Sequence, residues 1–205
     1  MPTFNLNTYS DQTFSKFELE NTKVEHIHFQ NCQFKQCKFL GIVFSKVTFI
    51  DCDFESCDLS LCKFLGSKFL EVSFKDSKLA GINWTELSFP LVKLASPIYF
   101  YSCNISHSSF FGLELADLII EDCKAHDVDF REANLSHASF VGTDLENSLF
   151  MHTNLKNTDF TNAVNYSIDI HFNTIKHARF SFPDVITLLS SLDIKVDGWP
   201  NDDDA

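Results

Sequence analysis

Seven cysteines and eight histidines are the residues of this 205-residue chain whose chemistry could go beyond packing. Cys32, Cys37, Cys52, Cys57, Cys62, Cys103 and Cys123 could hold a metal or cycle as redox pairs. Their spacing argues otherwise: no CxxC occurs, and three pairs (Cys32/Cys52, Cys37/Cys57, Cys103/Cys123) lie 20 residues apart. The histidines are scattered. His26 and His28 are close, but no third ligand accompanies them. No GxSxG, P-loop or GxGxxG motif is present, and no Cys–His pair has an evident shared cleft. Catalytic residues, cofactors and metal ligands are therefore not expected, and the chain does not read as an enzyme. What needs explaining is why the thiols recur at multiples of five within each group, which is a question about the elements that carry them.

The elements follow the same count. Phenylalanine occurs 23 times, against 4 tyrosines and 2 tryptophans, while glycine and proline number only 6 and 5. Every fifth residue from Phe14 to Leu94 is apolar, 17 positions in a row and 11 of them Phe. One residue is then inserted around Ala95–Tyr99, and a second series runs from Phe100 to Phe180, with only Asn165 polar and only Ala125 small. Neither a helix period of 3.6 nor a strand period of 2 keeps residues five apart on one face. A strand of about three residues followed by a tight corner does. The position two before each centre is small or apolar, as at Ile42, Val47, Ala133, Ala138 and Thr143. Each unit thus turns two side chains inward and three outward. All seven cysteines fall on that second inward position, which makes them small buried filler. An odd number of buried thiols suits a reducing compartment.

The units Ala133-Asn134-Leu135, Thr143-Asp144-Leu145, Thr153-Asn154-Leu155 and Thr158-Asp159-Phe160 resemble the A-(D/N)-(L/F)-x-x signature of the pentapeptide-repeat family. The resemblance covers about residues 12–180. It implies an all-β fold: a right-handed quadrilateral β-helix of about eight square coils, four units to a coil, stacked by parallel ladders. At about 4.8 Å per coil the rod is roughly 40 Å long. Phe34, Phe54 and Phe74 should form one stack, and Phe29, Phe49, Phe69 and Phe89 another. The expected organisation is a repeat β-helix over 1–180, with a one-residue interruption near 95–99, then a cap and acidic tail over 181–205.

After Phe180 the period breaks. Ser181-Phe182-Pro183-Asp184 has capping-box spacing with Pro in the first turn. Val185, Leu188, Leu189 and Leu192 then follow at i, i+3, i+4 and i+7, one face of a short α-helical cap. Ile194 and Val196 could add a short strand. Val185, Leu188, Leu189, Leu192 and Ile194 are the expected interface of a two-fold homodimer.

The segments Asn165–Ile170 and Ala178–Ser181, with Leu188-Leu189 and Leu192-Asp193-Ile194, resemble the C-terminal end of Qnr-type DNA-gyrase-protection proteins. Gly81-Ile82-Asn83-Trp84 and the interruption before Phe100 are most similar to the albicidin-resistance branch. This resemblance implies a homodimer joined at its C-termini, a rod like B-form DNA in girth and charge, and binding to DNA gyrase, a type II topoisomerase. It further implies protection of that enzyme from a poison, giving antibiotic resistance or self-immunity. Larger Qnr members carry projecting loops implicated in protection from quinolones. With one inserted residue, a peptide-like or natural-product poison is the better expectation. The alternative is a generic pentapeptide-repeat scaffold with an unrelated partner.

Charge is distributed to match. Residues 1–95 hold 11 acids and 10 lysines, net −1, whereas residues 96–205 hold 17 acids and 6 bases, net −11. The expected partner-binding acids are Glu114, Asp117, Glu121, Asp122, Asp127, Asp129, Glu132, Asp144 and Glu146, all at outward positions. Such a surface repels nucleic acid and attracts a basic DNA-binding saddle. No run of about 18 apolar residues is present, so no membrane partner is expected. With no signal segment at the start, the expected location is cytoplasmic.

Overall fold

The computed structural model describes residues 4–19, 22–89, 97–192 and 194. Three-residue strands such as Gln33–Lys35 and Asp53–Glu55 pair in parallel with the strand 20 residues on, Phe34 opposite Phe54. Four such walls close a square. The longest sheet runs through Thr13–Ser15, Gln33–Lys35, Asp53–Glu55, Val72–Lys75, Ile98–Tyr101 and Ile119–Glu121. Isolated parallel bridges and the pair Asp159–Phe160 with Arg179–Phe180 carry this wall to the C-terminal end. From Phe14 to Phe180 that makes eight coil-to-coil steps. The result is a right-handed parallel β-helix, the hand that parallel crossovers favour.

The inward centres fill the interior with aromatic columns. Phe34, Phe54 and Phe74 stack at 4.5 and 4.9 Å between ring centroids, and Phe100 continues them at 5.4 Å. The column from Phe29 to Phe49 is likewise parallel, at 5.1 Å, but Phe69 turns edge-on to Phe49 with planes at 85°. That departs from the expected four-ring stack. The bulkier indole of Trp84 stands on the adjoining wall, and Phe69 meets it edge-on at 6.1 Å. Ser88 still follows Ser67 in register, and Phe89 packs half-buried against the core.

The second inward position joins the coils. Cys57 donates its thiol to the carbonyl of Phe34 at 3.2 Å, and Ser77, Thr143 and Thr158 donate hydroxyls to carbonyls 23 residues back. All seven cysteines are buried and unpaired. Burial pushes the Cys52 and Cys62 thiols up to about 12, so they stay protonated and inert.

The corners explain how so few glycines suffice. The residue two after most centres takes positive φ, and Asn, Asp and His occupy most of these places: Asn31, Asp51, Asp122, Asn147 and Asn157 among them. Such side chains tolerate the left-handed region. Five of the eight histidines, His26, His107, His137, His152 and His177, are corner residues of this kind.

Two expectations need correction. First, Phe74 pairs with Phe100, 26 residues on, rather than 20 or 21. The insertion is therefore six residues, not one. Because Ser88 is still in register, the extra chain falls between it and Ile98, mostly outside the described residues. Second, the cap over Asp184–Leu192 is a 3₁₀ helix, not an α-helix. Thr187, Ser190 and Ser191 donate their hydroxyls to carbonyls three residues back, which suits the tighter winding. The Ser181 hydroxyl accepts from the backbone of Asn162 and does not cap the helix. Val196 and most of the tail lie outside the described residues.

Candidate partner-binding surface

Each outward acid owes its place to the five-residue unit: it sits one residue either side of a buried centre, or at the left-handed corner. Asp122, Asp127, Glu132 and Asp117 are corner residues, while Glu114, Glu121, Asp129, Asp144 and Glu146 flank centres. None of the nine is buried. They do not share one face. Glu121 flanks Ile120 on one wall, Asp144 and Glu146 flank Leu145 on the next, Asp129 flanks Phe130 on the third, and Glu114 flanks Leu115 on the fourth. Five of them, from Glu121 to Glu132, belong to a single coil. The acids ring the rod.

They are not equivalent charges. Asp129 takes two hydrogen bonds from the Arg131 guanidinium, at 2.9 and 2.8 Å, and these hold its carboxyl below the usual range. Arg131 also lies over the Phe111 ring at 5.8 Å. Asp129 is thus largely neutralised, which the sequence reading missed. Glu114 accepts from Asn134 at 2.8 Å and Glu121 from Ser139 at 2.6 Å, so these two carboxylates are held in place. Asp122 leans over Gly142, where φ is +66° and a Cβ would collide with its carboxylate. Asp127 faces His107 at 3.6 Å.

On the second wall, His126 lies between two of the expected acids. Its Nε2 is 2.7 Å from Asp144 Oδ2 and its Nδ1 is 3.3 Å from Glu146 Oε2. For Asp144, partial burial opposes ionisation, but hydrogen bonds from Asn165 and His126 outweigh it and the carboxyl is lowered overall. His126 stands 18 and 20 residues before these acids. Once the coil length is known, that spacing is the signal that pairs them.

At the C-terminal end, Leu188 is buried and Val185 packs against the core. Leu188 caps its own rod, while Val185 is only partly covered by it. Leu189 and Leu192 are half-buried, while Ile194 and Phe182 are exposed at 53% and 79%. On a helix with three residues per turn, Val185 and Leu188 form one row and Leu189 and Leu192 the next.

A closed β-helix with a filled interior and an acid-ringed outer surface defines a class: a parallel repeat solenoid of stacked square coils. The chain belongs to the pentapeptide-repeat family, whose repeat-region model matches residues 27–110 and 84–160. Among solved structures, full-length QnrB1, a plasmid-mediated fluoroquinolone resistance protein, superimposes with TM-score 0.63 at 19% identity, over 91% of this chain and 100% of that one. A trypsin-treated QnrB1 variant gives TM-score 0.55 at 22% identity, over 93% of this chain and 99% of that one. At these identities the likeness is one of fold. No curated protein matches the chain in sequence. Among the described residues, no helix is long and apolar enough to cross a membrane.

Proposed function

We propose that this protein binds a type II topoisomerase, DNA gyrase, as a mimic of DNA and shields it from a topoisomerase poison, conferring antibiotic resistance or self-immunity. The observation that carries the reading is the acid ring on the C-terminal half of the rod. Residues 96–180 hold 11 acids and 5 bases, net −6. Over about four coils of roughly 4.8 Å, that is one net negative charge per ~3.2 Å of axis. DNA carries about one per 1.7 Å. This half of the rod has about half the linear charge of the duplex and presents it on all four walls, as a mimic of a cylindrical polyanion requires.

Two further points support the reading: the likeness of residues 165–194 to gyrase-protection proteins, and a fold shared with a fluoroquinolone resistance protein. A homodimer joined by Leu189, Leu192, Ile194 and Phe182 would place two acid rings about a dyad, leaving the near-neutral N-terminal halves outermost. A cytoplasmic location follows from the proposed partner. The six-residue insertion removes the argument against quinolones that rested on a one-residue interruption, so the test includes both drug classes. Gyrase supercoiling is measured with and without the protein, in the presence of a fluoroquinolone and of a peptide-like poison. The reading predicts restored supercoiling in at least one arm. Inhibition unrelieved in both, with no binding to gyrase, leaves the generic scaffold as the answer.

A further inference from the structure

We propose that His126, Asp144 and Glu146 form a binding site for a divalent transition-metal ion of the zinc or cobalt class. One imidazole and two carboxylates each offer a ligand atom, and these atoms lie within 4.8 Å of one another; Asp144 faces Nε2 and Glu146 faces Nδ1, so an ion held on one nitrogen requires the exposed Glu146 side chain to turn toward Asp144. The three come from two adjacent coils on one wall. His126 flanks the buried Ala125, while Asp144 and Glu146 straddle the buried Leu145 one coil further on. The backbone under them is tied rung to rung: Ala125 donates to Asp144 at 2.8 Å and Asp127 to Glu146 at 2.9 Å. The prongs therefore stand on a rigid ladder rather than a loop, which limits the entropy lost on closing around an ion.

One supporting contact orients a ligand carboxylate and another anchors the backbone beneath the imidazole. Asn165 Nδ2 donates to Asp144 Oδ1 at 2.9 Å, leaving Oδ2 for the site, and the His126 backbone is held by Ser106 Oγ at 3.2 Å. Such outer contacts fix first ligands in metal proteins. The His126 side chain is 18% exposed and Glu146 54%, so an ion arriving from solvent meets the carboxylate first and the imidazole behind it. The coils on either side lack the set: one coil back the equivalent places hold Ser106, Lys124 and His126, and one coil on they hold Glu146, Val164 and Tyr166. An imidazole with carboxylates suits zinc, cobalt or nickel. Calcium and magnesium prefer all-oxygen shells. Two carboxylates and a neutral imidazole balance the charge of the ion, and water completes the shell.

The test is titration of the full chain with cobalt(II) and zinc(II) in metal-free buffer, followed by calorimetry and by the cobalt visible spectrum. The expected result is one ion per chain, with weak d–d bands and no thiolate-to-metal charge transfer, since the thiols are buried. His126→Ala and Glu146→Gln should each weaken binding at least about 10-fold. Glu146 is exposed, so its variant keeps the test alive should His126→Ala fail to fold. No saturable binding by the unaltered chain, or equal affinity in all three proteins, overturns the proposal. A charge-transfer band would place the ion on cysteine and overturns it equally.

Discussion

At Phe54, the rings of Phe34 and Phe74 lie 4.5 and 4.9 Å away on either side, nearly parallel. Removing the ring opens a void between two others that the ladder holds apart, so Phe54→Ala should cost about 3–5 kcal/mol. Ser56, two residues on, is exposed at a corner, and Ser56→Ala should cost under about 0.5 kcal/mol. Urea denaturation of the two variants checks the contrast, and equal losses would contradict a Phe-filled interior. Asp129 gives a pH prediction. Its folded carboxyl is lowered by Arg131, so its contribution is present above the unfolded value and is lost as pH falls through the folded one. The stability gap between the parent and Asp129→Asn should therefore be larger near neutrality than in strong acid. A gap independent of pH would mean that the Arg131 pair contributes nothing. Sequence reasoning placed Phe54 inside and Asp129 outside because the five-residue period decides direction. It could not see Arg131 folding back on Asp129, since a pair two residues apart on one wall is set by rotamers, not by period.

At the scale of the element, a single inward-outward pattern specifies strand, corner and register together. A slip of one residue would expose every Phe, so register is strongly enforced. That is why the walls were legible from the sequence alone. The insertion was not. Leu94 falls on the five-residue count, so six added residues look like one, and the difference emerges from pairings such as Phe74–Phe100 and Lys78–Asn104. The cap was legible as a helix, but its winding was not: apolar residues at i, i+3, i+4 and i+7 suit either form, and the hydroxyls of Thr187, Ser190 and Ser191 accompany the tighter one. Leu188 is buried over the last coil, so deleting residues 181–205 should expose that coil's ladder edge. Light scattering should then show monomer or aggregate. An unchanged dimer after the deletion would contradict a C-terminal interface.

For the whole molecule, charge and shape carry the proposed function. The halves differ by −1 against −11, and the acids of the second half encircle the rod instead of lining one side. The asymmetry was readable from the sequence, whereas the encirclement emerged only with the walls. Asp129 drops out of the effective set through its pairing with Arg131, and Glu132, an exposed corner residue, takes its place. The most direct measurement is gyrase affinity for two charge-reversed proteins at low and moderate salt. One carries Glu121→Lys, Asp122→Lys, Asp127→Lys and Glu132→Lys; the other carries Asp53→Lys and Glu55→Lys near the N-terminal end. Electrostatic mimicry predicts that the first loses most of its binding, that the second keeps it, and that the parent's affinity falls steeply as salt rises. If both reversed proteins, still folded, bind gyrase like the parent at either salt, the acid ring is not what gyrase recognises.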